Sequence, residues 1–460
     1  MAFEGEFASY EPLRRILSSE KIQALMERMR VQPSIPSAEI IEKDIVTINE
    51  LPQSIINQPD YVLAIDGSHL EGQPEKGYPG SEFGIVTIAS VLIDLKKVAQ
   101  FGKSDFIDPK AFRETEKASS QESLFPGCNI VIKPEKDAKS SLRRMIYEEI
   151  KTVKILDNGE TLLDTYEYLL KKKQELFPDS HPPRNPIDDK YELQYGYGEY
   201  PCDKPKGTLF STDALRLHEL MNPTGTNGEL FGQIMSTLEK LWFVNILRWF
   251  ELTNNLSILR KIVLFSDGPL AVFSTSSWLT KVIEYELRRI NDLQKKINNQ
   301  DMIILGLEKS GSFLNHFIDI DTSKEGTTDI FPRQSAFLLN DAYIKRNIIY
   351  SESSKPYGLD TYFGRKFFYK TASGQKLVPV VAWYNDYQKD ITTANPDQFP
   401  RLGDVLHLLD RLVSNRYPNS ISPLISAHAE ASIPLNLGKR LFEEIAREIK
   451  ETSAISGAAL

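Results

Sequence analysis

Cysteine is nearly absent from this chain. Cys128 and Cys202 are the only two in 460 residues, which excludes a disulfide framework and a four-cysteine zinc site. Long hydrophobic runs are also missing, and none approaches the roughly 18 uninterrupted apolar residues of a membrane helix. The start, Met1-Ala2-Phe3-Glu4-Gly5-Glu6-Phe7, is acidic and lacks the basic-then-apolar order of a signal peptide, so a cytoplasmic protein is expected. Positive charge is in deficit. A net charge of −8 argues against a protein that coats nucleic acid electrostatically, although an enzyme acting on nucleic acid can still build a metal site from acids. The basic pairs Arg143-Arg144 and Arg365-Lys366 read as solvated faces. The six histidines are scattered, and no two have the four-residue helical spacing of a zinc site. No internal repeat is visible.

What is present is a folded-protein composition, 41% hydrophobic and 26% charged, long enough for about three domain equivalents at roughly 150 residues each. Its most informative parts are two apolar runs with an Asp-Gly pair at the end. They are Tyr61-Val62-Leu63-Ala64-Ile65-Asp66-Gly67-Ser68 and Lys261-Ile262-Val263-Leu264-Phe265-Ser266-Asp267-Gly268. Each reads as a buried strand that presents a carboxylate where the chain leaves the sheet. Two such carboxylates on neighbouring strands can hold a divalent cation against a phosphate. Asp-Gly is also ordinary turn punctuation, so the surrounding residues must decide.

Strands are expected at 61, 83, 261, 302, 362 and 377, with the run from Phe83 to Leu95 pairing with the first as a hairpin. Helices are expected at 11–30, 229–252, 277–296, 402–416 and 434–451. The interleaving gives an α/β fold, and the order hairpin, helix, acid-ending strand, helix, strand suggests a ribonuclease-H-like mixed sheet with flanking helices. Residues 101–227 differ, with lysine and glutamate clusters, the run Lys171-Lys172-Lys173 and a proline-, aspartate- and tyrosine-rich stretch. They read as a large insertion, part helical and part irregular. The expected division is an N-terminal helical arm over 1–55, a main domain over 56–100 and 228–435, the insertion over 101–227, and a C-terminal helix and tail over 436–460.

A third carboxylate is sought on the long helix, which offers Glu229, Glu239 and Glu251. The helical neighbours of Glu239 are Met235, Trp242, Phe243 and Ile246, so its charge lies in an apolar stripe. There an unpaired charge costs several kcal/mol and needs a cation, a proton or a metal. Glu251 faces Arg248, Asn254 and Asn255, and Glu229 stands where the helix dipole alone explains an acid. Glu239 is the preferred ligand. His69 lies near Asp66 and reads first as a polar turn residue. His428 lies in the segment from Tyr417 to Ser432, a proline-fixed approach ending in small residues. An imidazole there can orient water or move a proton, while spacing alone reads it as a core or cap residue.

These pieces resemble the NurA nuclease family, the nucleases that partner the hexameric HerA ATPase. Four segments carry the resemblance: Ala64-Ile65-Asp66-Gly67-Ser68 with Tyr78-Pro79 after it; the long helix ahead of Leu264-Phe265-Ser266-Asp267-Gly268-Pro269-Leu270; Glu308-Lys309-Ser310-Gly311; and Tyr417-Pro418 through Ala427-His428. The resemblance implies a ribonuclease-H-like fold, a homodimer, and cleavage of DNA with Mn²⁺ or Mg²⁺. It implies metal-binding roles for Asp66 and Asp267, with Glu239 as the helix glutamate and Glu251 as the alternative. It also gives catalytic places to His428 and Tyr417 and a phosphate contact to Lys309. The long insertion departs from compact members of the family, and the resemblance implies a setting in DNA end processing or antiviral defence. The rival expectation is a non-catalytic dimeric adaptor that docks on a DNA-translocating ATPase. A phosphatase of the aspartyl type is disfavoured, because neither Asp66-Gly67-Ser68 nor Asp267-Gly268-Pro269 has the second aspartate two residues on.

Overall fold

A computed structural model of the chain describes residues 15–29, 45–53, 58–72, 82–97, 116–223, 226–273, 275–322, 330–413 and 421–432. The strands are β1 (Ile45–Thr47), β2 (Tyr61–Gly72), β3 (Phe83–Asp94), β4 (Glu116–Pro126), β5 (Glu199–Asp203), β6 (Lys206–Phe210), β7 (Ile262–Asp267), β8 (Ile303–Glu308), β9 (Ser335–Leu338), β10 (Gly364–Lys370) and β11 (Lys376–Ala382). The helices of nine residues or more are α1 (Glu20–Arg28), α2 (Ala138–Thr152), α3 (Leu162–Leu176), α4 (Gly228–Leu252), α5 (Trp278–Asn298), α6 (Ser312–Asp321), α7 (Leu402–Leu412) and α8 (Ser422–Ala431).

Nine strands form one mixed sheet in the order β1-β9-β10-β11-β8-β7-β2-β3-β4. The pairs β2–β7 and β7–β8 are parallel, and every other neighbouring pair is antiparallel. The central strands are apolar without interruption because both faces of the sheet are covered. Along β2 and β7 the side chains alternate between the two cores. Ile65 and Leu264 face the core with α4 and α5, while Val62, Ala64, Val263 and Phe265 face the core with α7 and α8. Helix α4 is apolar nearly all round because it is wedged between the sheet and helices α3 and α5.

Several expectations change here. The hairpin β2–β3 is registered over all twelve residues of each strand, so β2 does not end at Asp66 but continues to Gly72. Asp66 therefore sits mid-strand. Residues 101–227 are not wholly helical and irregular: β4 is an edge strand paired with β3 along eleven residues. Its polar sequence, Glu-Lys-Ala-Ser-Ser-Gln-Glu, concealed it, since an edge strand open to water needs little apolar alternation. Helices α2 and α3 and the hairpin β5–β6 follow it. Helix α8 was not foreseen; Pro423 fits its first turn, and Ser, Ala and His side chains let it approach β2 and β3 closely.

The basic pairs are not solvated faces. Arg143 is buried on Asp213 (Nη2 to Oδ2, 2.7 Å), and Arg365 donates to the carbonyls of Gln388 and Asp390. These partners lie far off in sequence and leave no local signal. Of the N-terminal arm expected over 1–55, α1 is described and buries none of its residues, whereas β1 is not helical and forms the outer strand of the sheet. The C-terminal helix expected over 434–451 and the Tyr417 side chain lie outside the described residues. Among the described residues no helix is long and apolar enough to cross a membrane.

Candidate metal centre

The parallel register aligns Ile65 with Ser266, so Asp66 and Asp267 follow side by side on adjacent strands. Beyond that point the strands part. β7 ends at Asp267, and Gly268 turns away with φ +77°, while β2 continues beside β3. The backbone N–H of Gly67 donates to Asp66 Oδ1 at 2.8 Å, and that of Gly268 to Asp267 Oδ1 at 3.0 Å. Each carboxyl is thus fixed by the amide that follows it, with its second oxygen free for another partner.

Glu239 reaches the same place from α4. A Cβ added at Gly67 would lie 2.6 Å from Glu239 Oε1 and 2.8 Å from Met235 Cγ, so this glycine is the gap through which the glutamate comes close to β2. Glu239 is buried, and Lys240 lies against it with Nζ 3.6 Å from Oε2 while donating to Ser266 Oγ at 3.0 Å. On the other side, α8 brings in His428, whose Nδ1 shares a hydrogen bond with Asp66 Oδ2 at 2.9 Å. Lys309, just past β8, donates to Asp267 Oδ2 at 2.7 Å.

These side chains line one open cleft of about 580 Å³, together with Met235, Ser236, Glu308 and Phe273. Asp66, Glu239 and Asp267 carry three negative charges when ionised, against two from Lys240 and Lys309. The surplus appears in the protonation equilibria. Burial, and then the neighbouring Asp267 carboxylate, push the Asp66 carboxyl up to about 7, with Lys309 and His428 opposing. Burial pushes Glu239 up to about 7 as well, opposed by Lys240 and reinforced by Asp66 and Asp267. Asp66, Asp267 and His428 each offer a ligand atom within 4.8 Å of the others. Clustered oxygen donors with one imidazole and uncompensated charge suit a hard divalent ion such as Mn²⁺ or Mg²⁺.

Of the residues singled out in the sequence, the fold brings Asp66, Glu239, Asp267, Lys309 and His428 into this cleft. Glu251 is elsewhere, gripped by Arg289 (Nη1 to Oε1, 2.7 Å), and Glu229 stays in the first turn of α4. His69 is exposed on β2 near Gly232. Lys240 was missed. It stands next to Glu239 in the chain, but consecutive helical residues do not normally face one another, so adjacency was a weak signal.

The chain's matches to known proteins agree in name. A family model described as NurA domain matches residues 60–433, a span that takes in every residue of the cluster. Among solved structures, the chain is similar to the NurA nuclease from Sulfolobus solfataricus at 10% identity, covering 96% of this chain and 97% of that one with a TM-score of 0.33. Another NurA structure matches at 11% identity, 96% and 98% coverage and a TM-score of 0.26. A structure of NurA with manganese matches at 10% identity, 92% and 95% coverage and a TM-score of 0.23. TM-scores this low add nothing to the fold described above. No curated relative matches the chain.

Proposed function

Because this chain belongs to the NurA family, we propose that it is a divalent-metal-dependent nuclease that hydrolyses phosphodiester bonds in DNA. The observation that carries the reading is the meeting of Asp66 and Asp267, from adjacent parallel strands, with Glu239 and His428 in one cleft. The order hairpin, α4, β7, α5, β8 supports a ribonuclease-H-like arrangement for this half of the sheet. Asp66, Asp267 and Glu239 would hold Mn²⁺ or Mg²⁺, with His428 beside them. Such an ion supplies Lewis acidity, making bound water more acidic and offsetting charge on the phosphate.

The protein's own groups do the rest. Asp66 fixes the His428 ring through Nδ1, which leaves Nε2 to take a proton from the attacking water. Water adds to phosphorus, the bond to the leaving oxygen breaks, and that oxygen takes up a proton. Lys309 Nζ, already at the lip of the cleft on Asp267, meets the charge that grows on the phosphate. Lys240, itself donating to Ser266, holds Glu239 from behind. A homodimer that receives DNA from a HerA-type hexameric ATPase, in DNA end processing or antiviral defence, completes the proposal. A catalytic place for Tyr417 belongs to it by resemblance alone.

The test is Mn²⁺-dependent cleavage of end-labelled linear DNA by wild type and Asp66→Ala, each with and without the partner ATPase. Cleavage by wild type alone is expected. Equal cleavage by the variant with the same metal dependence overturns the site. No cleavage in any lane, by folded protein whose melting ignores Mn²⁺, returns the reading to the non-catalytic adaptor.

A further inference from the structure

The loop after Asp267 carries a side chain that the proposed hydrolysis does not use. From Gly268 to Phe273 it forms one wall of the cleft, and its backbone is pinned on both sides. Gly268 N–H donates to the Leu307 carbonyl at 3.0 Å, Val272 N–H to the Thr361 carbonyl at 2.9 Å, and Phe363 N–H to the Leu270 carbonyl at 2.9 Å. Phe273 stands at the end of this pinned stretch, 55% exposed. Of the exposed large apolar side chains among the described residues, it alone lines the cleft.

Its ring is held from behind. Phe273 packs perpendicular to Tyr362, with centroids 5.5 Å apart and planes at 84°. The Tyr362 hydroxyl is 3.0 Å from that of Tyr357, and the Lys366 ammonium lies 4.5 Å from the Tyr362 ring centre. Lys366 is in turn paired with Glu308 at 2.6 Å. The phenyl ring is therefore a fixed apolar surface facing water, a few residues along the chain from a carboxylate of the cluster. A flexible surface phenylalanine would have no such backing.

Resting on the nuclease reading, we propose that Phe273 is a stacking platform for an unpaired nucleobase next to the scissile phosphate. Every base has a flat π face, and exposed aromatic rings bind single strands through it without regard to sequence. Inside a duplex those faces are covered by neighbouring bases, so only a single strand or a frayed end can offer one. The platform thus biases the cleft towards unpaired DNA.

Fluorescence anisotropy of a labelled single-stranded oligonucleotide in Ca²⁺ tests this, alongside strands in which one abasic position is stepped along the chain. Phe273→Ala is expected to weaken binding roughly tenfold, whereas Phe273→Trp keeps it. At one position the abasic strand costs wild type a similar factor and costs Phe273→Ala nothing more. Unchanged binding by Phe273→Ala, equal abasic penalties in both proteins, or no binding by wild type overturns the platform. Mn²⁺ cleavage of the same strands separates the two claims. Cleavage without the abasic coupling sinks the platform alone; coupling without cleavage sinks the nuclease reading alone.

Discussion

Asp66-Gly67 and Asp267-Gly268 stand on neighbouring parallel strands, yet the glycine does different work in each pair. Gly67 lies within a strand that continues for five more residues, and its missing side chain is the space that Glu239 fills. Gly268 has open space around its Cβ direction and is needed for a backbone angle, φ +77°, that lets β7 end. The aspartates differ too. Asp66 is buried against His428 and rises to about 7, while Asp267 lies nearer the solvent on Lys309. One dipeptide thus serves once for close approach and once for a turn, and only the neighbours distinguish the two.

The largest expected effect is common to the two aspartates, and their stabilities then separate them. Asp66→Asn and Asp267→Asn should each cut Mn²⁺-dependent DNA cleavage by more than about a hundredfold, because each removes charge aimed at the reacting centre. Their metal-free stabilities should diverge at pH 8. Asp66→Asn relieves a buried, poorly compensated charge and melts higher than wild type. Asp267→Asn gains less, since it leaves Lys309 without its carboxylate. Thermal melts without metal check this, and a lower melting temperature for Asp66→Asn would contradict the electrostatic account of the site.

The glycines come next. Gly67→Ala forces Glu239 and Met235 aside, at about 1–3 kcal/mol of stability, with up to about a hundredfold lost activity as the glutamate is displaced. Gly268→Ala meets no atom within 4 Å but strains a left-handed residue, at about 1–2 kcal/mol, with the smaller loss of activity. Denaturant melts paired with cleavage rates measure both. Equal losses of activity would mean that the two glycines are equivalent after all.

The smallest effect is one of pH. Asp66 and Glu239 rise to about 7 from 3.8 and 4.5, so between those values the folded metal-free protein binds protons that the unfolded chain has released. Stability from these two groups is complete below about pH 4 and is lost as pH rises through about 7. Mn²⁺ competes with the same protons, so its stabilising effect should grow from pH 6 to pH 8. Melting temperatures with and without Mn²⁺ across this range check the sign. A gain that stays flat, or that shrinks with pH, would show that these carboxyls are not the ones the ion meets.

Much of the frame is legible in the sequence. Runs such as Val62 to Ile65 and Val263 to Phe265 are too apolar for anything but buried strands, and the β2–β3 hairpin and α4 fall where their periodicities put them. Edge strand β4 was not legible, because successive residues from Lys117 to Ser120 are all exposed, so neither face carries the apolar alternation that marks a half-buried strand. Burial of Arg143 and Arg365 was hidden for another reason: their partners are distant in sequence, and a charge pair leaves no pattern in its own segment.

By itself the sequence determined that two aspartates end apolar runs and that one glutamate on the long helix lies in an apolar stripe. These are local properties, set by side-chain periods of 2 and 3.6 residues. The tertiary structure alone decided that the strand register places Asp66 beside Asp267, that the bare face of Gly67 admits Glu239, and that α8 carries His428 across 362 residues of chain to Asp66. It also put Glu251 on Arg289 and Lys240 behind Glu239. Such meetings depend on how finished elements pack, and no local period encodes them.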